Sequence, residues 1–329
     1  MSADEGAGTR GGEDATAKKI IAILGATGAQ GGSLVRAILA DGNGAFLPLG
    51  LTRHPESDKA QALRALGAEV RGADADDVES LRQAFGGAYG AFCVTNFWEH
   101  FSPEREIQQA QNMARAAKDT SLRHVIWSTL EDTRRYVSLG DPRMPTLKGR
   151  YKVPHFDAKE EANQAFRDLS VPTTFLYTSF YWDNLIHFGM GPKPGPDGKL
   201  HFVLPMADKK LPSMAAEDIG RCAYGVFQRK ELIGQSVGIA GEHLTGAEMA
   251  RELTQALKRE VVHEAVPPEV YRTFGFPGAD DLGNMFQFNA EFEREFCARR
   301  DLGFSRALNP QLKTFHEWLG ANKERIPIG

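Results

Sequence analysis

Cysteine is scarce in this chain. The three residues Cys93, Cys222 and Cys297 are far apart, odd in number and outside metal-ligand spacing. That excludes a disulfide framework and a cysteine-based metal centre. It fits a reducing compartment, where each thiol reads as a small buried hydrophobe. No apolar run approaches the roughly 20 residues a membrane helix needs. Excess positive charge is also missing. The net charge is −4, so no bulk field draws in nucleic acid or anionic lipid, and there is no basic stripe for DNA. Residues 1–17 lack the apolar centre of a secretory signal and are predicted to be a disordered tail. These absences point to a soluble protein, cytoplasmic with the nucleus open to it. Neither a membrane nor direct nucleic acid is expected as a partner.

What is present is an alternation of periods. Residues 19–24 form a short apolar run that stops at a glycine cluster. Helical spacing follows, with Leu34, Val35, Ile38 and Leu39 on one face, and Asp41-Gly42-Asn43-Gly44 ends it. Strands are predicted over 45–52, 68–71, 91–95, 125–128 and 173–176. Helices are predicted over 57–66, 78–85, 103–118 and 155–169. Such alternation implies a parallel sheet with helices on both faces and right-handed crossovers. Beyond about Phe180 the pattern weakens. Residues 189–198 hold three Pro and four Gly and read as a loop, and 215–227, 245–258 and 268–274 look helical. The predicted fold is α/β: a Rossmann-type, doubly wound parallel sheet over 18–180. A smaller, mainly helical substrate or partner domain follows over 181–329, partly interleaved with the first.

The glycine cluster Gly25-Ala26-Thr27-Gly28-Ala29-Gln30-Gly31 fits G-x-x-G-x-x-G. The pattern alone is weak, but this one follows a strand and opens an amphipathic helix. There Gly25 permits a tight turn, Gly28 lets the backbone approach a pyrophosphate, and Gly31 lets the helix pack close to the strand. Free N–H groups at the helix start would face the phosphates. The second predicted strand ends in Thr52-Arg53-His54, with no carboxylate before Glu56. An acid there would bond an unphosphorylated ribose, whereas a guanidinium can grip a 2′-phosphate with two parallel bonds. Arg53 therefore favours NADP(H) as cofactor, unless it is simply a solvated surface residue. Asp74, after the third strand, either meets the adenine or caps the next helix. Thr95 and Asn96 end the fourth strand, where polar groups line ligands in open sheets.

A nicotinamide reductase of this architecture commonly carries Tyr-x-x-x-Lys on one helix face, the lysine favouring the phenolate of a group that otherwise titrates near 10. No tyrosine here is followed by Lys at that spacing. The nearest match is His155-Phe156-Asp157-Ala158-Lys159, with Tyr151 one turn earlier. Two readings stay open. His155 donates a proton, or Lys159 only holds the nicotinamide ribose and no fast chemistry occurs. Ser128, ending the fifth strand, stands where a third catalytic partner would be. Tyr181-Trp182-Asp183-Asn184, at the sheet-to-small-domain transition, is either a border of the ligand cleft or core.

Together these pieces resemble the NmrA-like proteins, atypical relatives of the short-chain dehydrogenases/reductases, most of all their HSCARG-type NADPH sensors. The similar segments are Gly25 to Gly32, Thr52-Arg53, Val94-Thr95-Asn96-Phe97-Trp98-Glu99 and His155 to Lys159. Further on come Gly275-Phe276-Pro277-Gly278, Asp281-Leu282-Gly283-Asn284-Met285-Phe286, Leu308-Asn309-Pro310 and Trp318-Leu319. The resemblance implies NADP(H) held by Gly25 to Gln30, Arg53, Thr95 to Phe97, Lys159 and Tyr181 to Asn184. It implies a regulator that responds to the NADPH/NADP⁺ ratio through a protein partner or a homodimer. Reductases of quinones, enones or similar carbonyls that manage without the tyrosine pair are the alternative. This chain departs from the family pattern after Arg53, where Glu56, Ser57 and Asp58 stand instead of basic residues. The late motifs read only as packing segments.

Overall fold

The computed structural model describes residues 18–328; the predicted tail at 1–17 lies outside them. The strands are β1 (Lys19–Ile23), β2 (Phe46–Thr52), β3 (Glu69–Gly72), β4 (Gly90–Cys93), β5 (His124–Thr129), β6 (Thr173–Tyr177), β7 (Phe180–Tyr181), β8 (Lys193–Pro194), β9 (Leu200–Val203), β10 (Lys210–Met214), β11 (Ser236–Gly238), β12 (Glu242–Thr245) and β13 (Val261–Glu264). The helices are α1 (Ala29–Ala40), α2 (Asp58–Ala65), α3 (Val78–Phe85), α4 (Phe97–His100), α5 (Pro103–Asp119), α6 (Pro154–Asp168), α7 (Asn184–His187), α8 (Ala216–Phe227), α9 (Gly246–Leu257), α10 (Pro268–Tyr271), α11 (Ala279–Glu291), α12 (Glu293–Arg299), α13 (Leu302–Leu308) and α14 (Phe315–Asn322).

Seven strands form one sheet in the order β11-β6-β5-β4-β1-β2-β3, and every pairing is parallel. Side chains alternate across it, as a period of two requires. Ile21 and Ile23 face a layer built from α1, α2 and α8. Ala22 and Leu24 face the opposite layer, built from α3, α5 and α6. The predicted doubly wound α/β sheet is what forms. The C-terminal part is less purely helical than expected. It carries two three-stranded sheets, β12-β10-β7 and β13-β9-β8, and β8 falls inside the segment read as a loop. The chain also returns to the first unit after residue 180. Helix α8 packs on α1, and β11 pairs with β6 at the sheet edge. A third apolar cluster, including Trp182, Phe315 and Trp318, fills the C-terminal lobe.

Two polar anchors fix that lobe to the sheet. Arg300, fully buried, grips Glu131 after β5 with two bonds (2.6 and 3.0 Å) and donates to the Thr178 carbonyl at 2.6 and 2.9 Å. Asn284 on α11 donates to the carbonyls of Lys152 (2.5 Å) and Pro145 (2.9 Å).

The α1–α8 contact is a close one. The Gly220 N–H donates to Ser33 Oγ at 3.1 Å, and a Cβ at Gly220 would lie 2.2 Å from the Leu34 backbone nitrogen. Overpacking a rigid backbone contact costs about 1–3 kcal/mol. Gly220→Ala is therefore expected to lower the unfolding free energy by that much, read as a lower urea midpoint with an unchanged m-value. A midpoint equal to that of the parent protein would show that the two helices can separate freely.

Candidate functional site

Strand order reverses between β1 and β4, since the chain builds outward through β2 and β3 and then returns to the other side of β1. Loops after those two strands diverge, and a crevice opens at their carboxyl ends. The glycine loop lines one wall. Gly25 has φ +62°, the left-handed region that glycine tolerates. The Ala26 N–H donates to the Leu51 carbonyl at 3.2 Å, which ties the turn to β2. A Cβ at Gly31 would stand 2.5 Å from the Gly25 carbonyl oxygen, so α1 meets the turn in near-contact. The first i→i+4 bond of this turn runs from the Gly32 N–H to the Gly28 carbonyl, 3.0 Å. The amides of Ala29, Gln30 and Gly31 therefore have no intrahelical acceptor and point out of the helix end.

Gln30 reaches across the crevice. Its Nε2 donates to the Tyr181 hydroxyl at 2.6 Å, while its buried Oε1 has no partner. Burial holds the Tyr181 phenol above its usual range. Asp183 accepts from the Ala216 N–H at 2.8 Å. Asp183, Thr27, Gly28 and Ala29 line a cavity of about 510 Å³, into which Arg36, Lys59, Lys313 and Arg325 bring positive charge. Asn184 opens α7 beside them. Trp182 is a correction to the expected set. It is fully enclosed, packs tilted against Phe315 and Trp318, and has its indole N–H satisfied by Ser213 at 2.8 Å. It belongs to the lobe's core and does not reach the crevice. A second cavity, of about 430 Å³, lies within the C-terminal lobe near Pro205 and Pro267, away from the glycine loop.

The opposite wall begins after β4. Thr95 is buried, Asn96 is exposed at the start of α4, and Phe97 is buried against His155, Trp98, His100 and Phe101. Lys159, on α6, is 8% exposed. Its Nζ meets Glu106 Oε1 at 2.6 Å, Thr95 Oγ1 at 2.7 Å and the Thr95 carbonyl at 3.4 Å. Of the ammonium's three N–H donors, two go to Thr95, and its charge is paired by Glu106. Thr95 Oγ1 in turn donates to Glu106 Oε1 at 2.6 Å. Ser128 is buried at the end of β5 and has no side-chain hydrogen bond among the described residues.

His155 sits in the first turn of α6 behind Pro154. Its ring Nδ1 faces Asp281 Oδ1 at 2.6 Å, and its backbone N–H donates to Asp281 Oδ2 at 3.2 Å. A carboxylate at Nδ1 fixes the tautomer and leaves Nε2 as the working nitrogen. Trp98 lies over the imidazole, with centroids 4.8 Å apart. The second late motif therefore does more than pack. The first packs closely: Gly278 has φ +84°, and a Cβ there would stand 2.9 Å from Trp98.

Arg53 is engaged. Its two terminal nitrogens meet both oxygens of Glu99 at 2.6 and 2.8 Å. Each side chain is held in its charged form chiefly by that bond. Scanning along β2 for an acid missed this one, which arrives from α4. Asp74 does not cap a helix. Its Oδ1 accepts from the Asp76 N–H at 3.0 Å, and Asp77 caps α3 instead. Sequence reasoning also left Glu106 and Asp281 unassigned. Glu106 was detectable, because it lies on the inward stripe of α5 with Ala110, Met113 and Ala117.

The Lys159–Glu106 pair is enclosed, and Glu106 Oε2 has no partner while His100 Nε2, equally unpartnered, stands 3.7 Å away. Removing one member of a buried pair costs about 3–5 kcal/mol, because the other charge stays behind. Glu106→Gln should lose stability of that order in urea unfolding. Glu106→Gln combined with Lys159→Met should recover most of it. Additive losses in the double variant would mean that the two groups are not coupled.

The comparisons agree on one family. The sequence model of the NmrA-like family matches residues 17–319. A curated relative, the NmrA-like family domain-containing oxidoreductase FrzB of Cladobotryum sp, is 28% identical over 291 residues, covering 82% of this chain and 83% of that protein. Among solved structures, NmrA, a negative transcriptional regulator, superposes with a TM-score of 0.75 at 24% identity, over 92% of this chain and 94% of that one. The triphenylmethane reductase of Citrobacter sp., solved with NADP(H), gives 0.72 at 20% identity, over 92% and 99%. At those identities the structural likeness establishes the fold.

Proposed function

The chain belongs to the NmrA-like family, and on that premise we propose that it is an NADP(H)-binding regulator, responding to the NADPH/NADP⁺ ratio rather than turning over substrate rapidly. NmrA has been solved with NAD and with NADP, and the triphenylmethane reductase with NADP(H). Here the loop from Gly25 to Gly31 would take the pyrophosphate on the free amides of α1, with Lys59 and Arg36 adding charge from the cavity wall. Arg53 would meet the adenosine ribose and Asp74 the adenine. Asn96, Tyr181, Asp183 and Asn184 would border the nicotinamide half.

One observation carries the regulatory reading. The cofactor loop is intact, yet Lys159 is drawn into a buried ion pair with Glu106 and bonded to Thr95, and no tyrosine stands four residues before it. A conformational readout passed to a protein partner or to a second copy of the chain follows from that combination. The second reading is an NADPH-dependent oxidoreductase acting on a quinone, an enone or a similar carbonyl. It is favoured by the His155–Asp281 pair, in which the carboxylate holds Nδ1–H so that a protonated ring would have its Nε2–H to give, and by oxidoreductase names among the relatives. Bound NADPH would supply a hydride. Ser128 would be a further polar contact.

Calorimetric titration is expected to give saturable NADPH binding. Gly31→Ala, which drives a methyl into the Gly25 carbonyl, should weaken it at least about tenfold, or 1.4 kcal/mol. A panel of quinones and enones followed at the nicotinamide absorbance is expected to give no sustained oxidation. Steady turnover abolished by His155→Ala or Lys159→Ala would replace the first reading with the second.

A further inference from the structure

We propose that Glu99 is a specificity-determining residue: an internal competitor that holds Arg53 in the mode a ribose 2′-phosphate would use. The inference rests on the cofactor reading above and adds to it a residue outside the expected binding set.

The geometry is that of substitution. Both terminal nitrogens of Arg53 are used, one on each Glu99 oxygen, at 2.6 and 2.8 Å. This fork-to-fork arrangement is the one a guanidinium makes with a phosphate. Arg53 cannot make it with both partners at once. The exchange is open sterically, because the two side chains are 42% and 41% exposed. It is also cheap, since an exposed ion pair holds little net free energy.

The other charges nearby do not relieve the competition. Arg105 is already gripped by Asp76, at 2.5 and 3.3 Å, and Asp76 also accepts from Gln109 at 2.9 Å. Asp74 is near enough to act on Arg53. The start of α2 carries Asp58 beside Lys59, and Lys59 lines the cavity at the glycine loop. A 2′-phosphate would thus gain one guanidinium while facing Glu99 and Asp74. An unphosphorylated ribose displaces nothing. The Arg53–Glu99 pair can stay closed, and its carboxylate offers the 2′-hydroxyl an acceptor of the kind NAD sites use. Glu99 therefore narrows the preference that Arg53 creates.

The test compares Kd values for NADPH and NADH, and for the fragments 2′,5′-ADP and ADP, in the parent protein, Glu99→Gln and Arg53→Ala. The parent is expected to separate NADPH from NADH by less than about tenfold. Glu99→Gln should tighten NADPH and 2′,5′-ADP about three- to tenfold and leave NADH and ADP unchanged or weaker. Arg53→Ala should abolish the preference. Should Glu99→Gln leave the ratio unchanged or weaken NADPH, Glu99 is not a competitor, and the proposal falls while the cofactor reading stands. Should the parent take up none of the four compounds, the cofactor reading falls, and this proposal with it.

Discussion

The structure depends on a reversal. Because β4 is laid beside β1 only after β2 and β3 have been built on the other side, two neighbouring parallel strands send their loops apart. Everything of chemical interest collects where they part. One wall is backbone, a glycine turn so close to α1 that position 31 has no room for a Cβ. The other wall is side chain: Thr95, Lys159 and Glu106, packed from three elements. A sheet without the reversal would bury the same strands equally well and leave no crevice at their ends.

Two carboxylate–cation pairs flank that crevice, and burial gives them different roles. Lys159 and Glu106 are withdrawn from water, so each depends on the other and neither leaves without exposing an uncompensated charge. Such a pair is a fixture. Arg53 and Glu99 are solvated, and water can take either partner. The attraction is largely screened and the pair is exchangeable. Bond lengths in the two pairs are the same, 2.6 Å. The dielectric surroundings, not the distances, separate a structural pair from one a ligand can replace.

The first half of the fold was legible because parallel strands buried on both faces read as continuous apolar runs, and because glycine, proline and capping residues mark the ends of the helices between them. In the C-terminal part the helices α8, α9 and α10 were legible, but the strands were not. Its strands run two to five residues and are partly exposed, and β11 has three; so few positions cannot display a period. Helix α11 buries Asp281, Asn284, Gln287 and Asn289, which breaks the apolar stripe by which a helix is recognised. At the site, the glycine loop is a local pattern and could be read directly. Glu99 meets Arg53 across 46 positions, and Asp281 meets His155 across 126. Only the fold brings such partners together. Glu106 lay between these cases, since an acid on an inward stripe marks a buried partner without naming it.

Helix α4 shows how an adenosine-end event could reach the rest of the molecule. Four residues form a single turn, too short to be stable by its own hydrogen bonds, so its contacts hold it. Glu99 holds Arg53, Phe97 and Trp98 pack on His155, and Trp98 abuts Gly278 at the head of α11. Adjacency alone carries no signal; an element must have different contacts in two ligation states. The Lys159–Glu106–Thr95 cluster is enclosed, and α4 approaches it through His100, whose Nε2 stands 3.7 Å from Glu106 Oε2. Glu99 differs, because a ligand phosphate and its carboxylate compete for one guanidinium. Of the contacts that hold α4, that pair is the one a nucleotide could exchange, and α4 is where its release would be felt by both His155 and the C-terminal lobe.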